Sequence, residues 1–214
     1  MSRHPDPWPL RNLVLRTPRL ELRPDDDAGL VELITAAQGG VHNRDSMPFV
    51  TPWTDAPADE LGPNTLRFHW SQRAAISPAR WSVSFLVRLD GEVVGTQSLD
   101  ATSFATTRTV GSGSWLGLRR QGHGVGTEMR AAVLLLAIDH LGARSARSGA
   151  FVDNPASLRV SEKLGYVPDG TSTQVRRRTA ASEQRLLLTP ERFVRPAWKL
   201  KVEGIDACRV MLGA

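Results

Sequence analysis

A glycine-rich turn at residues 121–127, with the sequence QGHGVGT, is the stretch of this chain with the clearest chemical meaning. It places Gly122, Gly124 and Gly126 at alternate positions directly before a predicted amphipathic helix. Because glycines carry no side chain, the backbone N–H groups of such a turn can approach an anion at the positive end of the helix dipole. The turn therefore predicts a binding site for the pyrophosphate of a cofactor.

Two familiar phosphate-binding motifs fit this turn badly. The dinucleotide fingerprint requires G-x-G-x-x-G in a leading strand–helix–strand unit, whereas here G-x-G-x-G follows a predicted antiparallel meander. A P-loop requires Gly-Lys-Ser or Gly-Lys-Thr, which this turn lacks. Two interpretations of the turn are left: it binds a different phosphate-bearing ligand, or it is a glycine-rich turn without a ligand.

Three separate segments resemble one family. The turn fits the Q/R-x-x-G-x-G/A signature through Gln121, Gly124 and Gly126. Residues 154–157 (NPAS) and 162–166 (EKLGY) resemble an N-x-x-S…EKLGF segment, and LRTPRLELR at residues 15–23 resembles an L-x-T-x-R-L-x-L-R first strand. Across residues 15–166 the chain thus resembles the Rim-type (ribosomal-protein acetyltransferase) branch of the GNAT (GCN5-related N-acetyltransferase) superfamily. The segments GVH, MPF, PWT and SGSWLGLR are similar to mycobacterial members that use succinyl-CoA.

The resemblance implies that the chain binds an acyl-coenzyme A. The pyrophosphate would lie on the amides of the turn, with the Thr127 hydroxyl as an extra donor, and the pantetheine arm along the preceding strand. His123 is expected to point to solvent. The implied donor-binding residues are Leu116, Gly117, Leu118, Gln121, Gly122, His123, Gly124, Val125, Gly126, Thr127, Asn154 and Ser157.

The implied reaction is direct attack of a neutral amine on the thioester carbonyl in a ternary complex. A backbone N–H of Leu116 or Leu118 is expected to stabilise the oxyanion. Ser161 stands where the family often has Tyr, and helical spacing puts it on the inward face of its helix with Ser157, so it is a candidate to hydrogen-bond the departing thiolate. A hydroxyl that bonds back to its own helix is the alternative.

A general base is also expected, because a free alkylamine is protonated at neutral pH. Asp100, at the end of a predicted meander strand, is the first candidate. Asp45 and His42 on an early loop are two others, and ordered water is the remaining alternative.

The predicted elements place these residues in a mixed α/β (α+β) layer with the GNAT fold. It has a central, mostly antiparallel mixed sheet with splayed strands and helices on both faces. A proline-rich loop at 41–63 carries Met47, Phe49 and Trp53, which either line a pocket or cover one edge of the core.

One domain is expected over residues 1–214, with an extended arm at 1–12 and an unplaced tail at 190–214. The predicted strands are 13–23 (in one or two pieces), 81–87, 93–99, 108–118, 145–152, one starting at 166, and 184–188, and the predicted helices are 30–38, 64–75, 125–141 and 154–164.

The composition indicates the class of protein and the cellular compartment. The chain of 214 residues is 41% hydrophobic and 23% charged, as in ordinary globular proteins, and no apolar run has membrane-spanning length. One cysteine excludes an intramolecular disulfide framework and gives no metal cluster, so a reducing, cytoplasmic setting without a metal cofactor is expected. The net charge of +5 admits nucleic-acid binding, but 176–178 is the only dense basic run.

These patterns predict an acyl-CoA-dependent N-acyltransferase with acetyl-CoA or succinyl-CoA as donor. The acceptor is a protein N-terminus, a lysine or a small amine. A non-catalytic acyl-CoA-binding or regulatory module with the same fold is the alternative. The sequence leaves the oligomeric state open, and a homo-oligomer is one option.

Overall fold

The structure, a computed structural model, describes residues 6–214. Within that range the nine strands are β1 (Val14–Arg16), β2 (Leu20–Pro24), β3 (Arg80–Leu89), β4 (Glu92–Thr102), β5 (Thr109–Leu116), β6 (Ser145–Phe151), β7 (Val167–Arg176), β8 (Thr179–Leu188) and β9 (Lys201–Glu203). The helices are α1 (Asp27–Gln38), α2 (Ala58–Ala74), α3 (Phe104–Thr107), α4 (Val125–Leu135, continued as a π-helix over Leu136–His140), α5 (Pro155–Lys163) and α6 (Ile205–Leu212).

One open sheet contains all nine strands in the order β7-β8-β6-β5-β4-β3-β2-β1-β9. Every neighbouring pair is antiparallel except β5 and β6, which run parallel. The crossover between these two strands contains α4, since parallel neighbours cannot be joined by a tight turn. The predicted mixed, mostly antiparallel sheet is therefore confirmed.

Helices cover both faces of the sheet. On one face, α4 buries the apolar stripe that includes Met129, Ala132 and Val133 in the main hydrophobic core. Burying each large apolar side chain contributes about 1.5–3 kcal/mol, so this face carries most of the stabilisation. On the other face, Leu30 and Leu33 of α1 form a smaller cluster with strands β3 and β4.

Two elements near the N-terminus differ from the sequence prediction. Residues 13–23 form a tight antiparallel hairpin of β1 and β2 instead of one interrupted strand. Helix α2 begins six residues earlier than predicted and contains Pro63. A proline inside a helix removes one backbone hydrogen bond, but Asp59 and Glu60 in the first turn favour the earlier start.

Residues 8–10 and the C-terminal tail pack against the main hydrophobic core. Residues 1–5 of the predicted arm lie outside the described residues, and Pro9–Asn12 forms a short 3-10 turn rather than extended chain. The C-terminal tail adds β9 to the sheet edge beside β1, and α6 packs on the main core. The indole Nε1 of Trp81 donates to the carbonyl oxygen of Leu212 at 2.8 Å, so the tail is part of the fold.

Cys208 on α6 should be unreactive in the native protein. Burial, with a smaller contribution from the charge of Asp6, raises the pKa of its thiol to about 11. At pH 8 only about one thiol in 10³ is then ionised, and only the thiolate reacts. We expect negligible iodoacetamide labelling of the native protein, measured by mass spectrometry, and full labelling after unfolding in urea. Rapid labelling of the native protein would contradict this placement.

Candidate active site

Strands β5 and β6 pair over only three positions and then separate. Their paired residues are Thr109 with Ser145, Val110 with Ala146, and Gly111 with Arg147. Beyond these pairs β5 stays hydrogen-bonded to β4 while β6 stays with β8, so a slot opens in the sheet. The splay expected of these strands is confirmed.

A cleft of about 1600 Å³ runs through this slot. On one face of the sheet it reaches the glycine turn at Gly122, Gly124 and Thr127, and on the other it runs beneath the loop of residues 41–56. A site for one small molecule usually measures about 300–1,000 Å³, so this cleft has room for two substrates.

The glycine turn presents backbone N–H groups at one mouth of the cleft. Gly122 and Gly124 both have φ of 80°, a left-handed conformation that favours glycine, and Gly124 is the N-cap of α4. No side chain of the described residues caps this helix, so its first N–H groups remain free to bind an anion. Gly126 and Thr127 belong to the same first turn and line the cleft.

Gln121 and His123 have structural contacts of their own. The Gln121 amide donates to the carbonyl oxygens of Val41 (2.7 Å) and Leu116 (2.9 Å), so it fixes the turn to β5 and to the early loop. The His123 side chain is exposed, and its carbonyl oxygen accepts from Arg19 Nη1 at 3.1 Å. The Gln121 side chain thus holds the turn in place, and the His123 side chain faces solvent.

An ion pair between the half-exposed Arg19 and the buried carboxylate of Glu128 anchors α4 behind the turn. Glu128, 9% exposed, accepts from Arg19 Nε at 2.7 Å and from Thr17 Oγ1 at 2.5 Å. Thr17 and Arg19 belong to the first-strand segment singled out in the sequence. Their partner is not predictable from local sequence, because the contact between Arg19 and Glu128 joins residues 109 positions apart. The segment positions the N-terminus of α4.

The variant Arg19→Ala should lower the free energy of unfolding by about 1–2 kcal/mol, because the buried Glu128 carboxylate loses its cation but keeps the Thr17 hydroxyl as a donor. Adding Glu128→Gln should restore part of this loss, since the double variant has no unpaired buried charge. Urea denaturation of the wild type, both single variants and the double variant tests this. Strictly additive losses would contradict the pairing.

Ser161 is fully buried, and its hydroxyl forms hydrogen bonds to other groups of the protein. It donates to the carbonyl oxygen of Ser157 at 3.1 Å and accepts from Arg130 Nη1 at 2.8 Å. It is not among the residues that line the cleft. The structure therefore shows the alternative role, a hydroxyl bonded to its own helix. Asn154 caps α5 by accepting from the Ser157 N–H at 3.2 Å, and both of these residues line the cleft.

The partner of Ser161 is a buried arginine that the sequence patterns do not predict as a site residue. Arg130 on α4 is 5% exposed and lines the cleft. Its Nη2 donates to Ser114 Oγ at 3.2 Å, while Arg130 Nε, Ser112 Oγ and Tyr166 Oη have no hydrogen-bond partner among the described residues. Burial lowers the pKa of Arg130 and raises that of Tyr166. One basic residue within an apolar helix was the only sequence signal.

Of the three general-base candidates predicted from the sequence, only His42 lines the cleft. Asp100 does not line the cleft, and burial raises the pKa of its carboxyl. Asp45 is exposed and also outside the lining. His42 lines the cleft, but its ring nitrogens lie 2.8 Å from the carbonyl oxygen of Asn43 and 2.7 Å from the hydroxyl of Thr54.

Glu183 on β8 is a carboxylate that does lie at the slot. Its Oε1 lies over Gly149 of β6, where an added Cβ would come within 2.6 Å. Its Oε2 accepts from Ser172 Oγ and Gln174 Nε2, each at 3.0 Å. Leu186 of β8 packs in the main core with α4, and Glu183, three residues earlier on the same strand, therefore lies on the face of the sheet opposite α4. No local pattern marks this residue, because its position depends on the register between β6 and β8.

An aromatic wall closes the cleft on the Glu183 face. His42, Phe49, Trp53 and Trp115 form a series with ring centroids 5.8, 5.3 and 5.3 Å apart. All four side chains line the cleft, as does Met47. Of the two interpretations of the early loop, the structure shows the pocket-lining one.

Two arginines at the tip of the β7–β8 hairpin hold that loop in place. Arg177 pairs with Asp55 through two N–O distances of 2.6 Å. Arg176 pairs with Asp153 at 2.7 Å and donates to the carbonyl oxygen of Met47 at 3.2 Å. Two of the three arginines in the basic run at 176–178 thus form ion pairs within the protein.

A buried histidine–aspartate pair lies at the inner end of the same side. His69 of α2 lines the cleft, and its Nδ1 lies 3.4 Å from Asp25 Oδ2. Arg73 Nε lies 3.3 Å from the same oxygen, and the hydroxyl-bearing Ser82 and Ser84 of β3 line the cleft nearby. This end of the cleft is therefore polar.

No helix within residues 6–214 is long and apolar enough to cross a membrane. Over the same range, no group of three or more His, Cys, Asp or Glu side chains could hold a metal ion.

Comparison with known proteins gives a consistent result. Residues 19–167 match the family model described as the acetyltransferase (GNAT) domain. Mycobacterium smegmatis RimJ, solved with CoA-disulfide, is similar at 17% identity and TM-score 0.70 over 96% of each chain. A GCN5-related N-acetyltransferase from Brucella melitensis is similar at 20% identity and TM-score 0.66, over 89% of this chain and 84% of that one. RimL, a ribosomal L7/L12 alpha-N-protein acetyltransferase solved with coenzyme A, is similar at 16% identity and TM-score 0.65. The match covers 81% of this chain and 95% of the RimL chain.

Proposed function

The chain belongs to the acetyltransferase (GNAT) family, and from this premise we propose that it transfers an acyl group from acyl-coenzyme A to an amine. The observation that carries the proposal is the uncapped N-terminus of α4, which opens into the slot between β5 and β6. Two similar structures contain coenzyme A or its disulfide, which supports this ligand for the cleft.

The α4 face would hold the donor. The pyrophosphate would accept from the N–H groups at the start of α4, and the pantetheine arm would follow β5 towards the slot, flanked by Asn154 and Ser157. The Leu118 N–H already donates to the carbonyl oxygen of Gly40 at 2.9 Å. Leu116, which lies beyond the last β5–β6 pair, is then the proposed oxyanion donor.

The opposite face would hold the acceptor amine, with Glu183 as the general base. The amine attacks the thioester carbonyl carbon, the C–N bond forms, the C–S bond breaks, and Glu183 takes the proton that the nitrogen loses. The carboxylate would also attract a protonated amine into the cleft. A protein N-terminus, a lysine or a small amine are the proposed acceptors, and the aromatic wall would pack against them.

Acetyl-CoA or succinyl-CoA is the proposed donor, and the two are separable by experiment. We expect acyl-CoAs to raise the Tm of the protein and to bind in calorimetric titrations, with adenosine diphosphate binding more weakly because it lacks the pantetheine arm. The size of the Tm shift across acetyl-, propionyl- and succinyl-CoA ranks the donors. No stabilisation by any acyl-CoA would overturn the proposed function. Binding without transfer to any amine would identify a non-catalytic acyl-CoA module instead.

A further inference from the structure

The cleft contains a buried cation without a carboxylate partner. The guanidinium of Arg130 contacts the hydroxyls of Ser114 and Ser161 but pairs with no carboxylate of the described residues. Its Nε donor has no hydrogen-bond partner within residues 6–214. Removing a charge from water is costly unless an opposite charge compensates it. A ligand that brings negative charge to Arg130 would supply the missing compensation.

The contacts of Arg130 place it between the two elements that flank the slot. Ser114 lies on β5 beyond the last pair with β6, and Ser161 lies on α5, the helix that follows β6. Arg130 itself is on α4, so the guanidinium lies on the opposite face of the sheet from Glu183. The donor thioester enters from the α4 face in the proposed function. Two charges develop there during transfer: the carbonyl oxyanion, for which the Leu116 N–H is the proposed donor, and the leaving sulfur.

We propose that Arg130 is a catalytic residue that stabilises the coenzyme A thiolate as it leaves. This inference rests on the proposed function. When the amine nitrogen bonds to the carbonyl carbon, the C–S electron pair moves onto sulfur, and the guanidinium donates a charge-assisted hydrogen bond to it. Arg130 keeps its proton, and the proton released by the amine passes to Glu183 and then to solvent. Ser161 orients the guanidinium and does not act on the sulfur.

The pKa of enzyme-bound coenzyme A thiol tests the assignment directly. It can be followed by the ultraviolet absorbance of the thiolate, with coenzyme A lacking the sulfur as the background. In the wild type we expect this pKa to lie at least about one unit below that of free coenzyme A, which is about tenfold more thiolate at a given pH. In Arg130→Met the pKa should return to or above the free value. Arg130→Lys, which keeps the charge, should retain part of the shift.

Transfer kinetics give a second readout. Arg130→Met should lower kcat by about 10²–10³-fold, as for loss of one donor to a developing anion, with the KM of the acceptor unchanged. Ser161→Ala, which removes only an orienting contact, should lose much less than Arg130→Met.

Three outcomes have distinct meanings. Failure of the wild type to bind coenzyme A would overturn the proposed function. Binding with a thiol pKa equal to or above the free value would overturn the assignment of Arg130 alone, and needs no variant. A preference for succinyl-CoA over acetyl-CoA that disappears in Arg130→Met would also overturn it, because the guanidinium would then bind the acyl carboxylate.

Discussion

Glu183→Gln should lower kcat by about 10²–10⁴-fold, the usual contribution of a positioned general base. The amide keeps the size of the side chain and can still contact Ser172 and Gln174, but it cannot take a proton from the amine. The measurement is release of the coenzyme A thiol, with whichever amine of a panel of peptides, lysine and alkylamines turns over fastest. Affinity for coenzyme A should be unchanged, since Glu183 lies on the other face of the sheet.

The matched control for this prediction is Glu162→Gln. Glu162 is an exposed glutamate on α5 that does not line the cleft, so its variant should keep full activity. A related variant, Gly149→Ala, places a Cβ within 2.6 Å of Glu183 Oε1 and should reduce kcat by displacing the carboxylate. Full turnover by Glu183→Gln would leave water, or the His69–Asp25 pair, as the base.

Gly124→Ala should weaken coenzyme A binding by about 10- to 100-fold, because each hydrogen bond to a charged group contributes about 1.5–3 kcal/mol. At φ of 80° a Cβ is strained, and relief of that strain turns the first amides of α4 away from the phosphates. Isothermal titration with coenzyme A measures the change in Kd.

Gly142→Ala provides the comparison for this variant. Gly142 follows the far end of the same helix with φ of 76°, and an added Cβ there meets no other atom within 4 Å. Both variants should therefore lose similar conformational stability, but only Gly124→Ala should lose affinity. Equal Kd values for the two variants would contradict a phosphate site at the glycine turn.

The parts of the site that the sequence predicted are those determined by neighbouring residues. The glycine turn, the Asn154 cap followed by Pro155, and the Asp90-Gly91 hairpin each depend on a few consecutive residues, and the structure has all three. Local backbone chemistry is enough to define such features.

The parts that the sequence did not predict depend on long-range packing. Glu183 reaches the slot only through the strand register of β6 with β8, and Arg130 meets Ser161 only because α4 and α5 lie side by side. Ser161 was assigned a role from helical spacing, which identifies its inward face but not the group it meets there. The α2 start was missed because Pro63 is a poor helix residue whose cost the surrounding fold absorbs.

The slot through the sheet also separates the proposed donor half of the site from the proposed acceptor half. The turn, α4 and α5 are one structural unit, whereas the aromatic loop at residues 41–56 and the β7–β8 tip meet on the other face through Arg176 and Arg177. Exchanging residues 43–56 of that loop together with the hairpin tip would change the proposed acceptor half and keep Val41, whose carbonyl oxygen holds Gln121 of the glycine turn. Proteins with this fold could therefore differ in their acceptor while they keep the same acyl-coenzyme A donor.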